Sequence, residues 1–283
     1  MRLIEISSRI FKKIFLAIKK RKLLFLILLI LQLSILVGSS YSIVHYQLEI
    51  FEDLTKITEP LNNIDVTDQS LDSLEPLVTE YASIYSAYKS MMKNVFQLSI
   101  YLLAIYLILN PLLWIGSIFM LSQGWKKETS FKFKLKSILK SWLKYFVSIF
   151  IIIIPSSIFS YLIVMFALNV SETVFNYTVQ GLIGFFFFLN YLLLVFFTQI
   201  TVVKWNKFFT NFFEIAIKKI LYIIPFFLFM ILLISGSSYL IYFFTMSLGN
   251  VYYMISSAIL FLLVLVLSKI FIVAACQEIK RMN

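Results

Sequence analysis

Six apolar stretches, each long enough for a helix to cross a bilayer, dominate this chain of 283 residues. A hydrocarbon core takes about 20 residues of helix, and the stretches at 23–44, 95–121, 145–168, 179–203, 220–244 and 251–273 all meet that length. Lipid offers a backbone amide no partner, so a spanning segment has to close its hydrogen bonds on itself. The sequence therefore predicts an all-α fold: a polytopic transmembrane helical bundle forming a single membrane domain over 1–283. With 61% hydrophobic residues and 14% charged ones, the surrounding solvent is lipid. The seven glycines and five prolines leave little material for glycine-rich phosphate cradles.

The first span follows a basic segment and precedes Gly38, Ser39 and Ser40, as a secretory signal does. That basic segment is itself amphipathic and the apolar pattern runs past Tyr41, so the reading is an uncleaved anchor. Positive residues stay on the cytoplasmic side of a membrane. With the N-terminus inside, 22 of the 25 Lys and Arg fall on the cytoplasmic face, leaving Lys56, Lys89 and Lys93 outside. Ten of the 14 acids fall on the outer face. The expected location is the cell membrane, multi-pass, with both termini cytoplasmic. The net charge of +11 is thus a topology signal, with no nucleic-acid partner.

The cytoplasmic segments before the odd-numbered spans share one design, a basic amphipathic helix. Before the first span, Leu3, Ile10, Phe11, Ile14, Phe15 and Ile18 make an apolar stripe beside Lys12 and Lys13. Before the third, Phe131, Leu135, Ile138, Leu139 and Trp142 oppose Lys132, Lys136, Lys140 and Lys144. Before the fifth, Trp205, Phe208, Phe209, Phe212 and Phe213 oppose Lys204, Lys207 and Lys218. Such helices lie in the membrane interface with their lysines toward anionic headgroups. The anionic-lipid contacts expected are Lys12, Lys13, Lys132, Lys136, Lys140, Lys204, Lys207 and Lys218.

Two tetrapeptides recur: Ala17-Ile18-Lys19-Lys20 as Ala216-Ile217-Lys218-Lys219, and Gly38-Ser39-Ser40-Tyr41 as Gly236-Ser237-Ser238-Tyr239. Ser156, Ser157 and Ser160 stand at similar depth in the third span. Three repeats of an interfacial helix plus a transmembrane hairpin account for the matches. Small residues let helix backbones approach closely in lipid. Gly38, Ser39, Ser40, Ser156, Ser157, Ser160, Gly236, Ser237 and Ser238 are accordingly predicted helix-packing positions.

Residues 47–94 form the one sizeable outer segment, read as an antiparallel helical finger with an acidic outer face. Leu48, Phe51, Leu54 and Ile57 continue the first span's periodicity, and Leu74, Val78, Tyr81, Tyr85, Tyr88 and Met92 lead into the second. Pro60, Asn62 and Asn63 punctuate the tip. The three tyrosines share one side, which is either the finger's seam or a docking patch for a protein partner; the seam is the blander reading. Asn169 and Asn176 begin matches to the glycosylation pattern in the second outer loop.

A chain with one cysteine, Cys276, and one histidine, His45, supports neither a thiolate cluster nor ordinary zinc chemistry. Cys276 is a candidate for acylation or, more plainly, a small apolar residue in a helix. No ionisable residue is expected near a membrane centre, Lys269 reaching the cytoplasmic headgroups by snorkelling. Paired acids or a serine with a base, which intramembrane hydrolysis needs, are missing from the spans. No catalytic residue, metal site or cofactor is expected. Asn110, Asn190 and Gln199 are polar intramembrane candidates, read as interhelical hydrogen-bonding groups unless they line one cavity.

A basic interfacial helix before each hairpin, six spans in three pairs and Ala216-Ile217-Lys218-Lys219 leading into a span with Pro225 resemble the six-span YciC-type bacterial and archaeal membrane families. These include the membrane domain attached to some glycerophosphodiester phosphodiesterases. Two functions remain open. One is a non-enzymatic integral membrane protein organising lipid or partner proteins through its interfacial helices and finger. The other is the permease subunit of an ATP-driven exporter, for which a cytoplasmic ATPase would contact 126–142.

Overall fold

The computed structural model describes residues 2–63, 74–122, 131–167, 172–201, 204–248 and 251–281. Among them are eight α-helices and one π-helical turn, with no strand: α1 (Arg2–Lys20), α2 (Lys22–Asn63), α3 (Leu74–Leu121), α4 (Phe131–Ala167), α5 (Glu172–Thr198), α6 (Trp205–Phe213), the π turn (Glu214–Lys218), α7 (Ile220–Leu248) and α8 (Val251–Lys280). The six long ones, α2, α3, α4, α5, α7 and α8, are each long and apolar enough to cross a membrane.

Several boundaries differ from the sequence reading. The basic segment before the third span is the first part of α4, continuous with the apolar part, whereas α1 is separated from α2 at Arg21. Lysines spaced by four on one face offer the backbone no reason to stop, and no Gly or Pro intervenes. Pro60, Asn62 and Asn63 are helical rather than a tip, and residues 64–73 lie outside the described residues. Asn176 stands in α5 rather than in a loop, and Asn169 lies outside the described residues.

The chain divides into two compact units, Met1–Gln32 with Pro111–Asn283, and Leu33–Asn110. The smaller is an antiparallel pair made from α2 and α3. Gly38 meets Ile105, the Tyr46 and Tyr101 rings stack at 5.8 Å, and the Asn94 amide donates to Asp53 at 3.2 Å. Among its buried positions, Tyr46 and Asp53 on one helix and Ala87 and Asn94 on the other are each seven residues apart, a coiled-coil step, with Ser42 and Asn110 also buried. Tyr81, Tyr85 and Tyr88 are all exposed, so they are not the seam of the pair. The contact is instead made by the Tyr46–Tyr101 stack, by Gly38 against Ile105 and by the Asn94–Asp53 hydrogen bond.

The larger unit is built on α8. Half of its most apolar window is buried by protein, against 11% for α2. From Ile270 to Cys276 every residue is buried, because α1, α5, α7 and the π turn all close on this stretch. A helical stretch apolar all round belongs inside a bundle, and Ile270 to Cys276 is such a stretch. Cys276 is therefore enclosed within α8 rather than presented for acylation.

Candidate functional site

The basic end of the larger unit begins with α1. Its apolar arc is divided in two: Ile6, Ile10 and Ile14, four residues apart, are buried, and Ile4, Phe11 and Phe15 are exposed. The buried half packs on α8, where Phe11, at the edge of the arc, also meets Phe271 with ring centroids 5.6 Å apart. On the polar side, the Lys13 ammonium donates to Glu278 at 2.8 Å and to Gln277 at 3.0 Å, fastening α1 to the end of α8. Lys13 is thus an internal tie, a correction to its expected role as a headgroup contact.

Two more cations bond carbonyls at helix ends, where the backbone runs out of amide donors four residues on. The Arg21 guanidinium donates to the carbonyls of Phe119 and Ser122, the latter at 2.7 Å, at the end of α3. Lys219 donates to the Ile279 carbonyl at 3.2 Å, at the end of α8, and pairs with Glu214 at 3.4 Å. Both place positive charge on the negative end of a helix dipole. The π turn before Lys219 is pinned from α5, where the buried Tyr191 hydroxyl donates to the Ala216 carbonyl at 3.0 Å.

Lys144 departs furthest from its sequence reading. Only 1% exposed, it lies 5.3 Å from the Trp205 ring centroid and 5.4 Å from that of Phe208. A cation over aromatic faces is attracted by their quadrupoles, so Lys144 joins α4 to α6 instead of continuing the solvated row of Lys140. α6 is also held by Phe196, which stacks on Phe212 at 3.8 Å and meets Phe208 at 5.2 Å.

Lys269 likewise does not reach a headgroup. It donates to Gln32 at 3.0 Å, and Gln32 is 4% exposed. Gln32 lies ten residues beyond Lys22, about 15 Å along the helix, so the ammonium points into the bundle. A buried ammonium needs hydrogen-bond acceptors, and the Gln32 amide oxygen supplies one. The expectation that no ionisable residue lies deep in a span is corrected at this position.

Of the lysines expected at headgroups, Lys12, Lys140, Lys204, Lys207 and Lys218 are exposed; the side chains of Lys132 and Lys136 lie outside the described residues. Two cavities flank α1. One, about 470 Å³, is lined by Lys13, Lys20 and Arg21 with Leu16, Met120 and Ser122. The other, about 320 Å³, is apolar, bounded by Phe11, Ile14, Phe229, Leu233, Val264 and Phe271. Positive and apolar recesses on either side of one amphipathic helix suit an amphiphile with an anionic head.

The polar intramembrane candidates are not gathered at either cavity. Asn190 is exposed on α5, Gln199 is buried and donates to the Thr198 hydroxyl at 2.9 Å, and Asn110 is buried in the smaller unit. Of the small residues, Gly38 faces Ile105, and Ser39 lines a groove on α2 and α3. Ser156 and Ser237 are buried, with their hydroxyls returned to Ile152 and Ile234. The Ser160 hydroxyl is buried with no hydrogen-bond partner among the described residues. Ser40, Ser157, Gly236 and Ser238 are exposed, and a Cβ on Gly236 would meet nothing within 4 Å, so these four face outward in the single chain. Among the described residues no three His, Cys, Asp or Glu side chains could hold a metal ion.

No protein-family model, no curated protein and no solved structure matches the chain. The likeness to the YciC-type families accordingly rests on the arrangement of spans and basic segments alone.

Proposed function

We propose that this integral membrane protein is a non-enzymatic organiser of lipid, acting at its basic end, with that end cytoplasmic and the finger outside. The observation that carries the reading is the division of α1. One half of its apolar arc holds the helix on α8, and Ile4, Phe11 and Phe15 are left for acyl chains. Lys12 and the exposed lysines near α6 then stand at headgroup level, where a basic side chain near an anionic surface contributes about 1 kcal/mol. The apolar recess beside Phe11 takes a chain, and Lys20 and Arg21 face the head of a lipid on the opposite flank.

Native mass spectrometry from mild detergent, with anionic and zwitterionic lipids offered together, tests the reading. Anionic lipid is expected to stay bound at higher collision energy, and Lys12→Ala with Lys20→Ala to abolish the difference. Equal retention of both lipid classes by the unaltered protein overturns the proposal. Stoichiometric co-purification of an ATPase bound at 126–142 overturns it in favour of an exporter permease.

A further inference from the structure

At about 1.5 Å per residue, the 42 residues of α2 and the 48 of α3 make rods of about 60 and 70 Å, twice a hydrocarbon core of about 30 Å. Glu49, Glu52, Asp53, Lys56 and Glu59 on α2, with Lys89 and Lys93 on α3, mark the part that stands outside lipid. There α3 carries an apolar row: Tyr81 is 73% exposed, Tyr85 62%, Tyr88 48%, Met92 48% and Val95 39%. The steps of four, three, four and three residues are the spacing of a coiled-coil seam. No charge interrupts the row, and Ala87 and Asn94, which face α2, belong to a different side of the helix.

We propose that this row is the contact through which two copies of the chain associate, α3 against α3 in parallel. Two copies inserted the same way into one membrane are related by a twofold axis along its normal. Such an axis sets a surface against itself, so Tyr81, Tyr85, Tyr88 and Met92 meet their own counterparts in register. The helices are then parallel, the arrangement in which a seam of this spacing packs knobs into holes. Tyrosines suit the position because each ring is buried while its hydroxyl stays at the wet rim.

Charge and continuity both favour a second copy over a foreign helix. Lys89, next to Tyr88, flanks the row on the side away from its own α2 and so reaches across the contact. The Tyr46–Tyr101 and Asp53–Asn94 pairs set Glu59 level with Tyr88, which places an acid of the second copy at the height of Lys89. Below Val95 the same spacing passes through Ser99 and Leu102, which line a groove of about 400 Å³ with Ile35 and Ser39. A serine there allows close approach of a second helix in lipid.

Cysteine cross-linking tests the proposal, because the native Cys276 is buried. In proteoliposomes, Tyr88→Cys and Tyr85→Cys are each expected to yield a disulfide-linked species of twice the chain's mass on oxidation, and Lys93→Cys none. Adding Tyr85→Glu to Tyr88→Cys should weaken the association by about tenfold or more. Lys89→Glu should weaken it too, with Glu59→Lys in the same chain restoring it. The proposal is overturned if Tyr88→Cys reacts with maleimide as fast as Lys93→Cys and forms no dimer. It is equally overturned if the linked species has any mass other than twice that of the chain.

Discussion

Reversing the charge of Lys13 probes the docking of α1 directly. In the native pair the ammonium is 2.8 Å from Glu278, with the two side chains 20% and 12% exposed. Exposed ion pairs contribute about 0.2–1 kcal/mol and hydrogen bonds to charged groups about 1.5–3 kcal/mol. Partial burial, and Arg281 3.3 Å from the same carboxylate, put this tie at about 1–2 kcal/mol. Lys13→Glu loses the tie and sets two carboxylates together. The isoleucines beneath are not forced into water when α1 lifts, since the bilayer interface receives them. The opening free energy of α1 should therefore follow the polar tie closely. Hydrogen exchange in nanodiscs should show the amides of Ile10 to Ala17 exchanging about 5–30-fold faster. Glu278→Lys in the same chain should recover most of the protection, because the pair is rebuilt with its ends exchanged. Unchanged exchange in Lys13→Glu, or no recovery in the double variant, would refute the argument that this pair fastens α1.

Three further outcomes follow from the packing. A Cβ on Gly116 would lie 2.6 Å from Leu28, itself buried; Gly116→Leu should cost about 1–3 kcal/mol and Gly236→Leu almost nothing, read by a thiol dye reporting release of Cys276 on heating. Tyr191→Phe leaves the Ala216 carbonyl of the π turn without its buried donor and should cost about 1–3 kcal/mol, whereas the exposed Tyr253→Phe should not register in the same melt. Gln32→Leu removes an acceptor from the Lys269 ammonium and should cost about 1.5–3 kcal/mol. Adding Lys269→Met should return the melting temperature toward the parent, since a well-packed apolar pair replaces a buried charged one at little loss.

The number and placement of the long helices were legible because a run of apolar residues has one use in a chain this hydrophobic. Less legible was what each amphipathic segment faces. Lys140 and Lys144 differ by one helical turn and read alike, yet one is exposed and the other lies under Trp205 and Phe208. The difference is made by α6, more than 60 positions away, which no local periodicity contains. Gln32 and Lys269 are hidden by their separation in the same way. The tyrosines of α3 misled for another reason: rows through Ile84, Met91 and Leu98 and through Tyr81, Tyr88 and Val95 have the same seven-residue step. Periodicity cannot choose between two such rows, and bulk favours the wrong one, for the observed seam uses Ala87 and an Asn94–Asp53 hydrogen bond.

Every element that closes on the second half of α8 precedes it in the chain: α1, α5, the π turn and α7. Synthesis therefore makes each surface of the core before the helix that joins them exists. Ile6, Ile10 and Ile14 have only lipid to cover them in the interval, and Arg21 and Lys13 are made far ahead of the acid and carbonyls they later hold. The bundle must be completed by lateral docking of already inserted helices rather than turn by turn as they emerge. Cys276 records that moment: its thiol is open in a nascent chain and shut once the last helix is seated.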